Sequence, residues 1–167
     1  MDLLWQELTF GLPDRRRLAI VLLRVIAATL FGAIVGFQRE RAGKPAGLRT
    51  HMLVSLGTAV VVLACAGIGM GLDGLSRVIQ GIVTGIGFVG AGSILKLSEE
   101  RNIRGLTTAA GLWMTAAIGV AVGLGSLGLA LIGTVLTLIV LGFFGGIESR
   151  FEPRKRIQTD PPKGDSQ

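Results

Sequence analysis

The sequence predicts an all-α, polytopic membrane protein with about five transmembrane helices. Half of its 167 residues are apolar, its mean hydropathy is +0.63, and 17% of its residues are charged, against about 25% in an average soluble domain. A helix that crosses the ~30 Å hydrocarbon layer needs about 20 mostly apolar residues, and five such stretches follow one another. They lack the alternation of apolar and polar residues that barrel strands show, so helices are favoured over strands.

The predicted spans are residues 18–37, 52–70, 78–95, 106–124 and 128–147, and together they form one transmembrane domain over 18–147. Arg24 is the one charged residue inside them. Residues 1–17 contain several large apolar side chains before three arginines, which predicts a short interfacial segment. Residues 148–167 combine prolines with basic residues, which predicts a disordered cytoplasmic tail.

The basic residues predict the orientation. Twelve of the seventeen lysines and arginines lie after the first, third and fifth spans, and four lie on the opposite side. Cytoplasmic loops carry the excess of lysine and arginine, so we expect the N-terminus outside and the C-terminus in the cytoplasm. Arg15, Arg16 and Arg17 favour the reverse orientation when taken alone, but the bias over all short loops outweighs them.

Histidine and cysteine are too scarce for most catalytic sites. His51 and Cys65 are the single residues of their types, which excludes an intrachain disulfide. On one helix they stand about 21 Å apart, too far for a nucleophile and its base. We therefore expect no enzyme and no cofactor. We interpret His51 as a polar residue at the membrane interface, with a pH sensor as the alternative, and Cys65 as a small buried side chain.

Glycines at four-residue spacing predict close packing between helices. The pattern G-x-G-x-x-G occurs at 85–90 and at 123–128, but neither copy stands between a strand and a helix, so we expect neither nucleotide nor nucleic acid as a partner. Small residues four apart share one helix face and let backbones approach in a membrane. The pairs are Gly32 with Gly36, Gly81 with Gly85, and Gly119 with Gly123. A break in the third span near Gly87 is the alternative that the glycines leave open.

Three stretches resemble one known family. They are GFQRERAGKPAGLRTH at 36–51, DGLSR at 73–77 followed by GIGFVGAG at 85–92, and GLTTAAGLW at 105–113. In that order they resemble the MgtC/SapB family of bacterial inner-membrane proteins, over about residues 31–125. The resemblance implies a membrane domain of about five helices, a link to magnesium limitation, and a short member without the family's cytoplasmic C-terminal domain. Many members carry an acidic residue where Gln38 stands here.

The acidic residues favour regulation over transport. None of the eleven aspartates and glutamates lies in the middle of a predicted span, whereas ion carriers usually place acids there. We expect a membrane regulator that acts by helix contacts, with an oligomeric transporter of Mg2+ or another solute as the alternative. The expected partners are the lipid bilayer and either a second copy or another membrane protein. Mg2+ is a candidate ligand, and no residue is assigned to a metal.

One candidate site lies at the cytoplasmic mouth. Gly-Leu-Arg-Thr opens the second span at 47–50, and Gly-Leu-Thr-Thr opens the fourth 58 residues later, which predicts two repeated hairpins in the same orientation. Two adjacent helix N-termini would bind an anion, with Glu40 orienting an arginine; capping by threonine is the simpler alternative. The candidate residues are Arg39, Glu40, Arg49, Thr50, Arg104, Thr107 and Thr108.

A second candidate site lies in the outer half of the membrane. Arg24 stands about 9 Å into the first span, where it either reaches the outer headgroups or faces the bundle, paired with Asp73 or with carbonyl groups. Gln80 and Thr84 share one face of the third span, where they either bond to a neighbouring helix or line a path. Arg77 completes this set.

Overall fold

The structure, a computed structural model, describes residues 14–96 and 103–144. The prediction of an all-α membrane protein with five helices is confirmed. Four of the helices are long and apolar enough to cross a membrane, and the fifth is shorter. The helices are α1 (Arg15–Arg41), α2 (Leu48–Gly67), α3 (Leu72–Gly92), α4 (Leu106–Gly123) and α5 (Leu127–Ile139), which continues as a π-helical turn over Val140–Phe144. Most of the predicted interfacial segment and the tail at 148–167 lie outside the described residues.

α1, α2 and α3 begin several residues before the apolar stretches that predicted them. α1 includes the arginines on both sides of its apolar run, and α3 begins at Leu72, so Asp73 and Arg77 lie in its first turns rather than in a loop. Hydropathy marks where the hydrocarbon begins, whereas a helix continues into the headgroup layer, where charged side chains are solvated. α3 is an unbroken 21-residue helix, so the alternative of a break near Gly87 is wrong.

A small hairpin connects α3 to α4. The two-residue strands β1 (Leu95–Lys96) and β2 (Ile103–Arg104) pair antiparallel, with Leu95 opposite Arg104. α4 then begins after Gly105, which has a φ of +101°. That left-handed conformation suits glycine, because it carries no Cβ. The sequence predicted no strands between the third and fourth spans.

α1 and α2 form an antiparallel hairpin held together by glycines. A Cβ on Gly32 would lie 2.6 Å from the His51 carbonyl oxygen, and one on Gly36 would lie 2.7 Å from the Leu48 Cα. The later glycine of α1 therefore contacts the earlier residue of α2, which shows that the two helices run in opposite directions. We call the end of the bundle where α1 ends and α2 begins the mouth end, and the opposite end the far end.

α4 lies at the centre of the bundle and contacts all the other helices. It runs parallel to α2, since Thr58 contacts Ala116 and Val62 lies beside Gly123. α5 returns antiparallel along α4. Residues 14 and 144 therefore lie at opposite ends of the bundle, and which end faces the cytoplasm stays a prediction.

The core consists mainly of small and β-branched side chains. Lipid tails are as apolar as the side chains, so helices in a membrane associate through close packing rather than through the hydrophobic effect. The largest buried cluster brings together residues of α1, α2, α4 and α5, namely Ala28, Val35, Ala59, Ile118, Ala121, Val122, Ala130 and Leu141. Large apolar side chains such as Leu23 and Leu53 instead point outward, where lipid solvates them.

Candidate functional site

Arg39 is buried at the mouth end, with only 2% of its surface exposed. It comes from the last turns of α1 and reaches the first turn of α4, where its Nη2 donates a hydrogen bond to Thr108 Oγ1 at 3.2 Å. Its Nε has no hydrogen-bond partner among the described residues. A guanidinium is always charged, so this part of the bundle holds a positive charge with one neutral hydrogen-bonding partner.

His51 lies beside α4, fully buried between the helices. Its Nδ1 is 2.7 Å from Thr115 Oγ1, and the Thr115 hydroxyl donates to the Gly111 carbonyl at 2.9 Å. The Thr115 hydroxyl therefore connects the His51 ring to the backbone of α4. The His51 Nε2 has no partner in the described part of the chain. The interpretation of His51 as an interfacial residue is therefore wrong.

Ser55, one helical turn after His51, continues the same buried face of α2. It has no exposed surface, and its Oγ lacks a partner among residues 14–96 and 103–144. We call Arg39, His51, Ser55, Thr108 and Thr115 the polar core. Buried polar groups without partners are rare and costly, so these side chains mark the part of the structure where stability alone does not account for the residue types.

Glu40 and the threonines do not make the contacts that were predicted for them at the mouth site. Glu40 Oε2 accepts a hydrogen bond from the Leu48 N–H at 2.8 Å, so the carboxylate binds the start of α2 rather than an arginine. The N-caps of α2 and α4 are Gly47 and Gly105, and neither cap makes a side-chain hydrogen bond. Capping by threonine is therefore wrong as well.

The rest of the mouth site does not assemble around an anion pocket. Arg49 and Thr107 are exposed, and Thr50 is half-buried. The Arg104 backbone pairs in the short hairpin, and its side chain lies outside the described atoms. Of the predicted set, the structure brings together Arg39 with Thr108 and, separately, Glu40 with the start of α2.

The second candidate site is also divided. Arg24 Nη1 donates to the Gly123 carbonyl at 3.0 Å, at the C-terminal end of α4. That is the carbonyl pairing that the sequence left open, and no bond joins Arg24 to Asp73 in the described structure. Gln80 and Thr84 are exposed on α3, and the Thr84 hydroxyl bonds to the Gln80 carbonyl of its own helix. Asp73 and Arg77 are exposed near the start of α3.

The glycine pairs fall into two groups. Gly32 and Gly36 lie against the backbone of α2, and a Cβ on Gly123 would lie 2.7 Å from the Val62 Cβ. Gly119 is closer still to Ser55 and Thr58. A Cβ on Gly81 or Gly85, by contrast, would meet no heavy atom within 4 Å in the described part of the chain. Packing of this pair against a helix of another molecule stays a prediction.

The sequence contains a periodic signal for the polar core. His51 and Ser55 are four residues apart, and Thr108, Gly111 and Thr115 also recur on one helix face. Polar residues on one face of a transmembrane helix indicate a face turned toward protein. The signal was weak because threonine and serine also occur on lipid-facing surfaces.

The polar core disfavours a cation and suits a negative or neutral polar group. Its one full charge is the Arg39 guanidinium. Among the described residues, no three histidines, cysteines, aspartates or glutamates are grouped closely enough to hold a metal ion. Magnesium prefers carboxylate and other oxygen ligands, and the polar core supplies hydroxyl groups but no carboxylate.

A comparison with known families decides the relationship. The model of the MgtC family matches residues 25–150, which include all five helices from the middle of α1 onward. The chain belongs to the MgtC family. The resemblance that three sequence stretches suggested is thus confirmed, and the bundle described above is an MgtC-family membrane domain in the bacterial inner membrane.

Several curated relatives are similar to this MgtC-family chain. Protein SrpB of Synechococcus elongatus is 43% identical over 132 residues, which cover 72% of each chain. "Putative magnesium transporter YhiD" of Escherichia coli (strain K12) is 43% identical over 131 residues, 74% of this chain and 60% of YhiD. Protein MgtC of Salmonella typhimurium (strain LT2) is 42% identical over 127 residues, 76% of this chain and 53% of MgtC. No solved structure matches.

Proposed function

We propose that this protein takes part in adaptation to magnesium limitation as a membrane regulator, and that it acts through helix contacts rather than by moving Mg2+ through its own bundle. The link to magnesium is supported by the name of YhiD, which shares 43% identity with this chain. The choice of regulator rests on one observation, the buried Arg39 of the polar core.

Arg39 creates an electrostatic barrier to a cation at the crossing of α1 and α4. At an effective dielectric constant of about 20, two unit charges 4 Å apart interact by about 4 kcal/mol, and a divalent ion doubles this repulsion. Among the described acids, Glu40 is exposed and bonded to the Leu48 N–H, and Asp73 is exposed on α3. Neither offsets the charge inside the bundle.

The contact surface of the regulator is the outward face of α3. Only 6% of its most apolar 18-residue stretch is buried inside the bundle, which is the lowest share among the four long helices. Gly81 has open space around it, Phe88 is 83% exposed, and Gln80 and Thr84 are exposed close to them on the same helix. Small and polar residues on a lipid-facing helix favour a second helix as neighbour. We propose that this neighbour is a second copy or another membrane protein.

An oligomeric Mg2+ transporter is the second candidate. Gln80 and Thr84 would line a path between copies, where Arg39 is shielded by its own bundle. Flux measurements separate the two candidates. The purified protein is reconstituted into liposomes that contain a magnesium-sensitive dye, and the same gene is tested for growth in low magnesium in a deletion strain. We expect restored growth without Mg2+ influx. Influx above that of empty liposomes that is lost in Gln80→Leu would establish transport instead.

The contact face is tested with two glycines of α3. Gly81 and Gly87 are both exposed in open space, and six residues at 100° each place them about 120° apart around the helix. Gly81→Leu should abolish growth in low magnesium at a normal protein level, whereas Gly87→Leu should leave growth intact. Equal growth of both variants would exclude this face as the contact surface.

A further inference from the structure

A cleft of about 550 Å³ opens between α1 and α2 at the far end of the bundle. Two facing helix stripes line it. Arg17, Val21 and Arg24 recur at three- to four-residue spacing on α1, and Val60, Ala64 and Ile68 line the side of α2. At the mouth end the glycines of α1 bring the same two helices into backbone contact. The cleft begins where those glycines stop.

The walls of the cleft are apolar, and its charges are all positive. Two arginines, Arg17 and Arg24, stand among aliphatic side chains, seven residues or about 10 Å apart along α1. Arg24 is held in place by its bond to the Gly123 carbonyl, and Arg17 is exposed at the end of the helix. Arg15 and Arg16 precede it, and Asp14 is the one acid between residues 14 and 24.

The depth of the cleft matches a lipid rather than a soluble anion. α1 has 27 residues and is therefore about 40 Å long, so its first turn extends beyond the ~30 Å hydrocarbon layer into the headgroup region. Arg17 then stands at the level of lipid phosphates, while the aliphatic walls lie at the level of acyl chains. A charged rim above an apolar groove is complementary to a molecule with one anionic end and one hydrocarbon end.

We infer that this cleft binds one anionic phospholipid, with the phosphate against Arg17 and one acyl chain along α1 and α2 beside Val21 and Ala64. Arg24 closes the inner side of the cleft and adds a second positive charge below the phosphate. The lipid fills the space that would otherwise separate the two helices at the far end. It thereby fixes the angle of the α1–α2 hairpin, whose other end carries Arg39 and the polar core.

The test is native mass spectrometry of the full-length protein after release from nanodiscs. The protein is taken from nanodiscs that contain equal amounts of phosphatidylglycerol and phosphatidylethanolamine. We expect one phosphatidylglycerol to remain bound. Arg17→Ala should lower the bound fraction about fivefold, because one arginine near an anionic lipid surface raises the binding constant by about that factor. Arg16→Ala is the matched control, because it removes the neighbouring charge without touching the cleft lining.

A second variant tests the apolar part of the site. Ala64→Phe places a large side chain in the cleft without changing any charge, and it should also lower phosphatidylglycerol binding. The melting temperature of each variant in detergent confirms that it is folded. The proposal is overturned by equal losses in Arg16→Ala and Arg17→Ala, or by no preference for phosphatidylglycerol over phosphatidylethanolamine. It is also overturned by a dimer that Ala64→Phe converts to a monomer, which would show that a second copy fills the cleft.

Discussion

α3 and α4 are both apolar helices with several glycines, but α3 lies at the edge of the bundle and α4 at its centre. Both also have a glycine pair at four-residue spacing. Half of the most apolar 18-residue stretch of α4 is buried inside the bundle, whereas only 6% of the corresponding stretch of α3 is buried. The glycines of α4 contact the backbone of α2, whereas Gly81 and Gly85 of α3 contact nothing in the described part of the chain.

This difference shows that a small-residue pair predicts close packing but not the partner. On α4 the pair lets α2 approach and builds the bundle, while on α3 the same pair leaves a flat face open. The stability of the bundle should therefore depend on α4, and interactions with other molecules should depend on α3. Matched substitutions on the two helices test this division.

The largest difference is expected between Gly119→Ala and Gly81→Ala. A Cβ on Gly119 would overlap the Ser55 carbonyl oxygen and Thr58 Oγ1. Because a backbone atom cannot move aside cheaply, we expect a loss of about 3 kcal/mol in the free energy of unfolding. Gly81→Ala should gain up to about 1 kcal/mol from helix propensity. Denaturation in mixed micelles measures both, and a Gly119→Ala variant as stable as the parent would contradict the packing of α2 on α4.

Threonine hydroxyls give the second contrast. Thr115→Val removes the hydrogen-bond partner of His51 Nδ1 and leaves that nitrogen buried and unpaired, so we expect a loss of about 1–2 kcal/mol. Thr115→Ser keeps the hydroxyl and should recover most of the stability. Thr84 bonds only to its own helix among the described residues and is exposed, so Thr84→Val should change the free energy of unfolding by less than about 0.5 kcal/mol. If Thr115→Ser is as unstable as Thr115→Val, the hydrogen bond is not the cause.

Arg24 provides a smaller effect at the end of α4. Its bond to the Gly123 carbonyl places a cation at a helix C-terminus, an interaction of about 0.3–1 kcal/mol. Arg24→Met should therefore lower the free energy of unfolding by about that amount, while Arg77→Met on the exposed face of α3 should not. Thermal melting in detergent compares the two variants, and the same loss in both would indicate a general effect of charge.

Replacement of Arg39 should change stability little and abolish function. Burying a charge costs free energy, and a well-packed apolar replacement often recovers it. We expect Arg39→Met to unfold within about 1 kcal/mol of the parent and yet to fail to restore growth in low magnesium. Thr108→Ala, which removes the described hydrogen-bond partner of Arg39, serves as the second variant. A strongly destabilised Arg39→Met protein would show that Arg39 is needed for folding instead.

The sequence predicted the five helices because a hydrocarbon layer requires long apolar segments. It did not distinguish Gly119 from Gly81, since both face apolar surroundings, one a helix and the other lipid. For the same reason His51 was assigned to the interface: a lone polar residue near a helix end can be solvated by headgroups or by a neighbouring helix. The hairpin of Leu95–Lys96 with Ile103–Arg104 depends on a backbone turn that hydropathy does not encode.

The contact between Thr58 and Ala116 bears on the origin of the bundle. The Thr58 hydroxyl donates to the Ala116 carbonyl at 3.2 Å, and the two residues are 58 positions apart, the same offset that relates Gly47 to Gly105. Gly32 packs on His51 and Gly90 packs on Ala109. Gly90 follows Gly32 by 58 positions, and Ala109 follows His51 by the same number. A two-fold axis that relates the two hairpins and passes near Thr58 and Ala116 would bring these two positions together. The predicted repeat of two hairpins in the same orientation therefore places its axis at the contact between α2 and α4, the helices that carry His51 and Thr115.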